Sequence, residues 1–373
     1  MQYNNKINKY IDNKIQLIES KINSYVPPND KILIIYNSQN DWFYLVTIIL
    51  QIYNDLYLND ELVETYDLNT LDNNEIINKF NVLYRQGYRK FVGFASGDLL
   101  DACLKFFNFK IQNTFAISIG STIVEQYYEN IYRPQFNDNI YLRSIDMTNI
   151  FEDYDNMYII IEQNNNWSLT FAQNIQNIFG DKFTYNVTTI DINNYEQSRT
   201  TLINIFNNMT NTDILAPLIM NKTENFVRIV NESNVNKMMM YSGDKIYGFE
   251  NNEFLTEQEL ITFASKVNLN IAIFNGFDSI YRQIYKSPFA INLIDVINVI
   301  KTTETNKLSD TFETYIGYNG LMTLNNINTR QYGKIVIINY GYENKNEWDV
   351  QYIYENDIKL GEVIYIGNKN KYS

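Results

Sequence analysis

Two stretches of this 373-residue chain end a short apolar run in small, hydroxyl-bearing residues: Ala95-Ser96-Gly97-Asp98 and Ser118-Ile119-Gly120-Ser121-Thr122. Hydroxyls beside the free N–H groups that open a helix make a cradle for a carboxylate or another small, acceptor-rich group. Gly120 suits a close backbone approach or an unusual dihedral. The blander role for Ser96, Ser121 and Thr122 is to cap the helices that follow, and capping is compatible with ligand contact. Catalytic chemistry has little to work with. The chain has no His and one Cys, Cys103, which leaves no Ser-His-Asp triad, no Cys-His dyad and no zinc site. Cys103 lies in an apolar helical run and reads as a small buried hydrophobe. Carboxylate-only chemistry stays open, but Glu152, Asp153 and Asp155 lack the spacing of an oxygen cage and read as a solvated connection.

The elements that would position these residues follow from periodicity. Near-continuous apolar runs at 31–36, 91–95 and 114–118 and an alternating run at 62–68 predict strands of a parallel sheet. Amphipathic runs at 44–53, 72–86 and 99–107 predict the helices between them, with Gly87 as a stop signal. Ile140 to Asp146 reads as a further strand leading into a connection. The alternation then restarts, with strands at 157–161, 184–190, 213–218, 237–241 and 270–274. Helices are expected at 168–179, 195–209, 224–230 and 289–300, and a strand-rich tail over 320–366. Two βαβ series of similar plan predict two doubly wound parallel-sheet lobes. In such sheets ligands bind beyond the carboxyl ends of the strands. That rule makes Ser38 and Trp42, in the first strand-to-helix loop, candidates beside Ser96, Gly97, Gly120, Ser121 and Thr122.

Ahead of the first strand, Ile7, Ile11, Ile15, Ile18, Ile22 and Tyr25 form the seam of an amphipathic helix that Val26-Pro27-Pro28 ends. Its heptad-like spacing fits a helix packed on the domain or a short oligomerisation helix. The opening residues are polar and charged, not an apolar core with basic flanks, so we expect no secretion signal and a cytoplasmic or virion-associated chain. No apolar run is long enough to span a membrane. A net charge of −13 without a basic stripe argues against nucleic acid. The abundance of Asn, Ile and Tyr looks like the codon bias of an AT-rich genome, so Asn-rich loops carry little functional weight.

The ordered pieces resemble the type I periplasmic binding proteins, the fold of branched-chain amino-acid-binding proteins and of some receptor ligand-binding domains. Val92-Gly93-Phe94-Ala95-Ser96-Gly97 is similar to that family's third strand with its ligand-contacting serine, and Ile117-Ser118-Ile119-Gly120-Ser121-Thr122 to its Ser-x-Gly-Ala/Ser-Thr turn. Tyr141-Leu142-Arg143-Ser144-Ile145-Asp146 is similar to its first inter-lobe crossing. The strand Ile159-Ile160-Ile161 running to Trp167-Ser168, the strand Asp213-Ile214-Leu215 and the triplet Ile294-Asp295-Val296 fall in the expected order. So do Gly317-Tyr318-Asn319-Gly320 and Lys334-Ile335-Val336-Ile337 near the end. Two features depart from the pattern. Leu56-Tyr57-Leu58-Asn59-Asp60 stands where the family has a Gly-Gly-rich stretch, and the amphipathic helix stands where it has a secretion signal.

The resemblance implies an α/β protein of two lobes joined by a three-segment hinge near Ser144, Gly276 and Arg330, with the extra helix at 1–30. The first lobe would span 31–144 and 277–330, the second 145–276 and 331–373. It implies a small-molecule ligand held without a cofactor or metal, its carboxylate on Ser96, Ser121 and Thr122. Trp167 and Tyr241 would face it from the second lobe, and Asp244 would take an ammonium group. Met220 and Asn221 border the same cleft. Two rival readings stand beside this one: a structural or partner-binding protein, for example viral, with a degenerate cleft, and a two-lobed glycosyltransferase-like enzyme. The enzyme lacks both His and a recognisable nucleotide loop. A homo-oligomer through the first helix or the first lobe is compatible with the solute-binding reading.

Overall fold

The computed structural model describes residues 27–39, 43–70, 72–94, 114–120, 130–134, 136–148, 150–242, 254–274, 288–303, 312, 316–317, 320–321, 324, 333–341, 349–359 and 362–368. Residues 27–30 form a turn, while residues 1–26 of the helix expected at 1–30 and the helix expected at 99–107 lie outside the described residues. So do Trp42, Ser96, Gly97, Ser121, Thr122, Asp244, Gly276 and Arg330.

The first sheet pairs β1 (Ile32–Tyr36), β2 (Val63–Asp67), β3 (Lys90–Gly93), β4 (Phe115–Ser118) and β5 (Ile131–Tyr132), all parallel, in the order β2-β1-β3-β4-β5. Side chains alternate between its faces, as strand geometry requires. Ile32 and Ile34 fall in one buried cluster with α1 (Phe43–Ile52), while Leu33 and Ile35 fall in another with α2 (Asn73–Arg85). Asp72 caps α2 by accepting from the N–H groups of Asn74 and Glu75, and Gly87 follows its end with φ +106°.

The second sheet repeats the plan. Strands β6 (Asn156–Glu162), β7 (Thr184–Ile190), β8 (Asp213–Leu218), β9 (Met238–Ser242) and β10 (Val267–Phe274) pair in parallel in the order β7-β6-β8-β9-β10. Counted from its own first strand, this is the same 2-1-3-4-5 arrangement as in the first sheet. Three antiparallel strands, β13 (Gly333–Gly341), β14 (Asp349–Lys359) and β15 (Glu362–Asn368), then extend it beyond β10 to eight strands. A separate pair, β11 (Ile316–Gly317) and β12 (Gly320–Leu321), is antiparallel. One face of the second sheet packs α3 (Asp138–Asp146) and α4 (Asn166–Phe179). The other packs α5 (Tyr195–Asn208), α6 (Thr223–Glu232) and α7 (Glu257–Lys266). The sequence expectation of two doubly wound parallel sheets therefore stands, with an antiparallel extension on the second.

Connectivity follows from packing. Tyr132 belongs to the first sheet's cluster and Phe136 to the second's, so the chain passes between cores at 133–135. It returns with α8 (Pro288–Thr302), whose Phe289, Leu293, Ile297 and Ile300 pack against Ile48, Ile49 and Ile52 of α1. The strand expected at 140–146 is α3 instead. Asn137 accepts from the Ile140 N–H to start it, and Ile140, Tyr141, Leu142, Ser144 and Ile145 supply a helical buried stripe. Ser144 lies within that helix, its hydroxyl donating to the Ile140 carbonyl at 2.9 Å. Helix α7 had no forecast from periodicity, although Thr256 and Glu259 form a capping box at its start.

Candidate functional site

The 2-1-3-4-5 order places a switch point between β1 and β3 and another between β6 and β8, where chain connections diverge and leave a crevice at the carboxyl ends. The backbone there is unusual. Among the described residues five non-glycine positions have positive φ, and four of them follow the carboxyl ends of β2, β3, β6 and β8: Asn69, Phe94, Asn164 and Lys222. Conformations of this kind cost energy and persist where the surrounding structure holds them. Gly93 ends β3 at φ +122°, and a Cβ on it would lie 2.1 Å from the Ile35 carbonyl oxygen. That approach lets the β3 end press against β1.

At the first switch point the loops are tied by side chains. Asn37 is fully buried. Its amide donates to the Thr70 carbonyl at 2.8 Å, and its carbonyl accepts from the N–H groups of Thr70 and Gln39. The Asp67 carboxylate accepts from the N–H groups of Ser38 at 3.0 Å and Asn69 at 2.9 Å. Ser38 is exposed at the β1 end, and its hydroxyl lies 3.4 Å from the Asn69 side-chain oxygen. The buried Ser118 hydroxyl donates to the Phe94 carbonyl at 2.8 Å, and the Ile119 N–H to the Gly93 carbonyl. Gly120 is buried in the bend after β4. Burial, with the Asp67 charge beside it, pushes the Tyr36 hydroxyl above its ordinary pKa.

The second switch point is organised by Glu162 at the end of β6, which the sequence reading passed over. Its buried carboxylate accepts from the N–H groups of Met220 at 2.7 Å and Asn221 at 3.1 Å. It also accepts from the side-chain amides of Asn221 at 2.6 Å and Asn165 at 3.3 Å. Burial raises its pKa, while those four hydrogen bonds pull the other way. No charged group enters that balance, so Glu162 is a saturated anchor between the β6 and β8 loops. Beside it Asn165 caps α4 by accepting from the Ser168 N–H, while the Ser168 hydroxyl donates to the Leu218 carbonyl at 2.7 Å and accepts from the Glu162 N–H at 2.8 Å. A carboxylate closing an apolar strand, followed by Asn165 and Ser168 at capping distance, is the signal that could have found this network.

Trp167 and Tyr241, expected to face a ligand, share one aromatic array. The Trp167 ring lies 5.1 Å from Phe171, which lies 6.4 Å from Tyr241, which lies 5.8 Å from Phe151. Both are buried, Trp167 at 2% exposure and Tyr241 at 0%. The Trp167 indole N–H is enclosed without a hydrogen-bond partner. Trp167 and Tyr241 thus come together on the second sheet, and Ser38 and Gly120 share the carboxyl edge of the first. Asp295 is fully buried in α8. A cavity of about 580 Å³ opens at the opposite edge of the second sheet, lined by Phe206, Met209, Asp213, Val235 and Met238. It lies by the amino ends of β8 and β9. Among the described residues no cluster of acids or Cys could hold a metal ion, and no helix is long and apolar enough to cross a membrane.

Solved structures share this fold. A leucine-binding protein, LivK, from Thermotoga maritima matches with a TM-score of 0.60 at 11% identity, over 91% of this chain and 99% of that one. The substrate-binding protein LivJ of a branched-chain amino acid transporter from Streptococcus pneumoniae, in complex with isoleucine, matches with a TM-score of 0.62 at 12% identity. It covers 87% of this chain and 99% of that one. The chain has the type I periplasmic binding protein fold. No protein-family model and no curated protein sequence matches it. Sequence identity this low carries the architecture but not the ligand.

Proposed function

We propose that this chain is a solute-binding protein that captures a small polar ligand between its two lobes and does not transform it. The observation that carries the reading is the pairing of two sheets of identical strand order whose carboxyl ends collect the unusual backbone and the buried polar anchors. The likeness to two binding proteins, one of them holding isoleucine, supports an amino acid or related carboxylate. In this reading Ser96, Gly97, Gly120, Ser121 and Thr122, with Ser38, take the ligand's anionic end on the first lobe, and Trp42 closes over an apolar portion of it. Trp167 and Tyr241 close over the ligand from the second lobe, beside Asp244. Glu162 shapes the second-lobe loops without touching the ligand. The lobes close about 133–135 and the segments near Gly276 and Arg330.

A thermal-shift panel of amino acids, their amides and small carboxylates tests this. A stabilising compound whose effect disappears in the Ser121→Ala/Thr122→Ala double variant is expected. Silence across the panel would favour the rival in which the fold serves structure or partner binding, a rival that the full burial of Trp167 and Tyr241 also suits. Turnover of a sugar nucleotide would overturn both in favour of an enzyme.

A further inference from the structure

Nine large apolar side chains are exposed among the described residues, and three of them, Leu56, Leu58 and Leu62, fall within one seven-residue stretch at the amino edge of the first sheet. Leu58 is 58% exposed. The stretch is built, not loose. Tyr57 is buried in the core beneath it, with the Lys301 ammonium 4.8 Å from its ring, and Lys301 also pairs with Asp60. The Asp60 N–H donates to the Tyr57 carbonyl, the Val63 N–H to the Asp60 carbonyl, and the Leu62 N–H to the Asp60 carboxylate at 3.0 Å. A turn held this firmly fixes its leucines outward.

The chain enters the first sheet beside this patch. The Ile32 N–H donates to the Leu62 carbonyl at 2.7 Å, and the turn at Pro27 and Pro28 closes through the N–H groups of Asp30 and Lys31. The patch borders β2, the outermost strand of its sheet. Residues 1–26 therefore join the fold within a few residues of three uncovered leucines. Their sequence supplies what the patch lacks: the apolar seam Ile7, Ile11, Ile15, Ile18, Ile22 and Tyr25. They also carry four lysines (Lys6, Lys9, Lys14, Lys21) against Asp12 and Glu19 in a chain of net charge −13, and the patch is flanked by exposed Asp55 and Glu61. As a helix, 7–25 would span about 27 Å. A lone amphipathic helix of that length is marginal in water unless its apolar face is covered.

We propose that Leu56, Leu58 and Leu62 are the seat on which residues 1–26 of the same chain dock as an amphipathic helix. The short join at Pro27 makes the contact intramolecular, so its high effective concentration favours this occupant over a second copy. The proposal is independent of what the crevice binds.

Cysteine pairing in the full chain tests it. In a Cys103→Ser background, Leu58→Cys is combined in turn with Ile15→Cys, Ile18→Cys and Ile22→Cys. Val187→Cys, an exposed apolar site on the second sheet, replaces Leu58→Cys as the control. Under mild oxidation at least one Leu58 pair should close within a monomer several-fold faster than its Val187 counterpart. A second readout is trypsin cleavage after Lys14 and Lys21, which should accelerate several-fold in the Leu58→Glu/Leu62→Glu variant. Covalent dimers in place of monomer closure would assign the seat to a second copy and overturn the proposal. Leu58 pairs no faster than the control would overturn it, as would cleavage that ignores the Leu58→Glu/Leu62→Glu change. Lysines protected only when anionic vesicles are added would point instead to a membrane surface.

Discussion

Gly93 and Glu162 do at single positions what the two switch points require. Gly93 sits at φ +122° with its would-be Cβ 2.1 Å from a backbone oxygen, so Gly93→Ala must part β3 from β1 or strain both. We expect it to cost on the order of 3 kcal/mol in denaturant unfolding, against about 1 kcal/mol for an ordinary substitution. An unchanged midpoint would show that the β3 end adapts freely. Glu162 makes a prediction of unusual sign. Burial lifts its pKa above the ordinary 4.5, so the folded protein holds this proton more tightly than the unfolded chain does. Its contribution to stability is fully present below the unfolded value and is lost as pH rises through the raised folded value. Comparing the pH dependence of unfolding free energy in the parent and Glu162→Gln should show that downward slope in the parent alone. The same slope in both would remove Glu162 as its source. Periodicity alone showed neither role. Gly93 looked like one glycine in an apolar strand, and Glu162 depends on Asn221, 59 residues away, for two of its hydrogen bonds.

At the scale of elements, local pattern told most of the story wherever one face or two faces of a segment are buried by regular structure. The alternation on β1 separates Ile32 and Ile34 from Leu33 and Ile35 as a sheet covered on both faces demands. The apolar stripe of α8 places it on the first core. Pattern misled at 140–146, where a continuous apolar and polar mixture suits strand or helix and the Asn137 cap decides. It missed α7, whose stripe is short and whose identity rests on its first turn. There Glu259 accepts from the Thr256 N–H at 2.8 Å and from Arg228 at 2.8 Å, which hold its pKa down at about 2. This carboxylate stabilises the fold above the unfolded value of 4.5, and that contribution fades as pH falls from 4.5 toward 2. Glu259→Gln should therefore flatten the acid limb of the melting curve, and Thr256→Ala should cost about 1 kcal/mol at neutral pH. An acid limb unchanged by Glu259→Gln would place the acid sensitivity elsewhere.

For the whole molecule, the doubly wound plan was legible as two restarted βαβ series, because short crossovers and right-handed connections leave few alternatives, whereas the 2-1-3-4-5 order came only from the strand pairing. The candidate site was legible only as a location. Strand ends can be read from where apolar runs stop, and the rule that ligands gather there needs no side-chain geometry. Which side chains are saturated by their own neighbours, as Glu162 and Asn37 are, depends on contacts between loops far apart in sequence. A ligand held by both lobes would couple them, so binding should stabilise the two sheets together. Isothermal calorimetry with the strongest compound from the amino acid and carboxylate panel decides whether the protein captures a solute. Saturable one-to-one binding by the parent protein is expected, with loss of the heat in Ser121→Ala/Thr122→Ala. Absence of measurable heat with every member of the panel would contradict it.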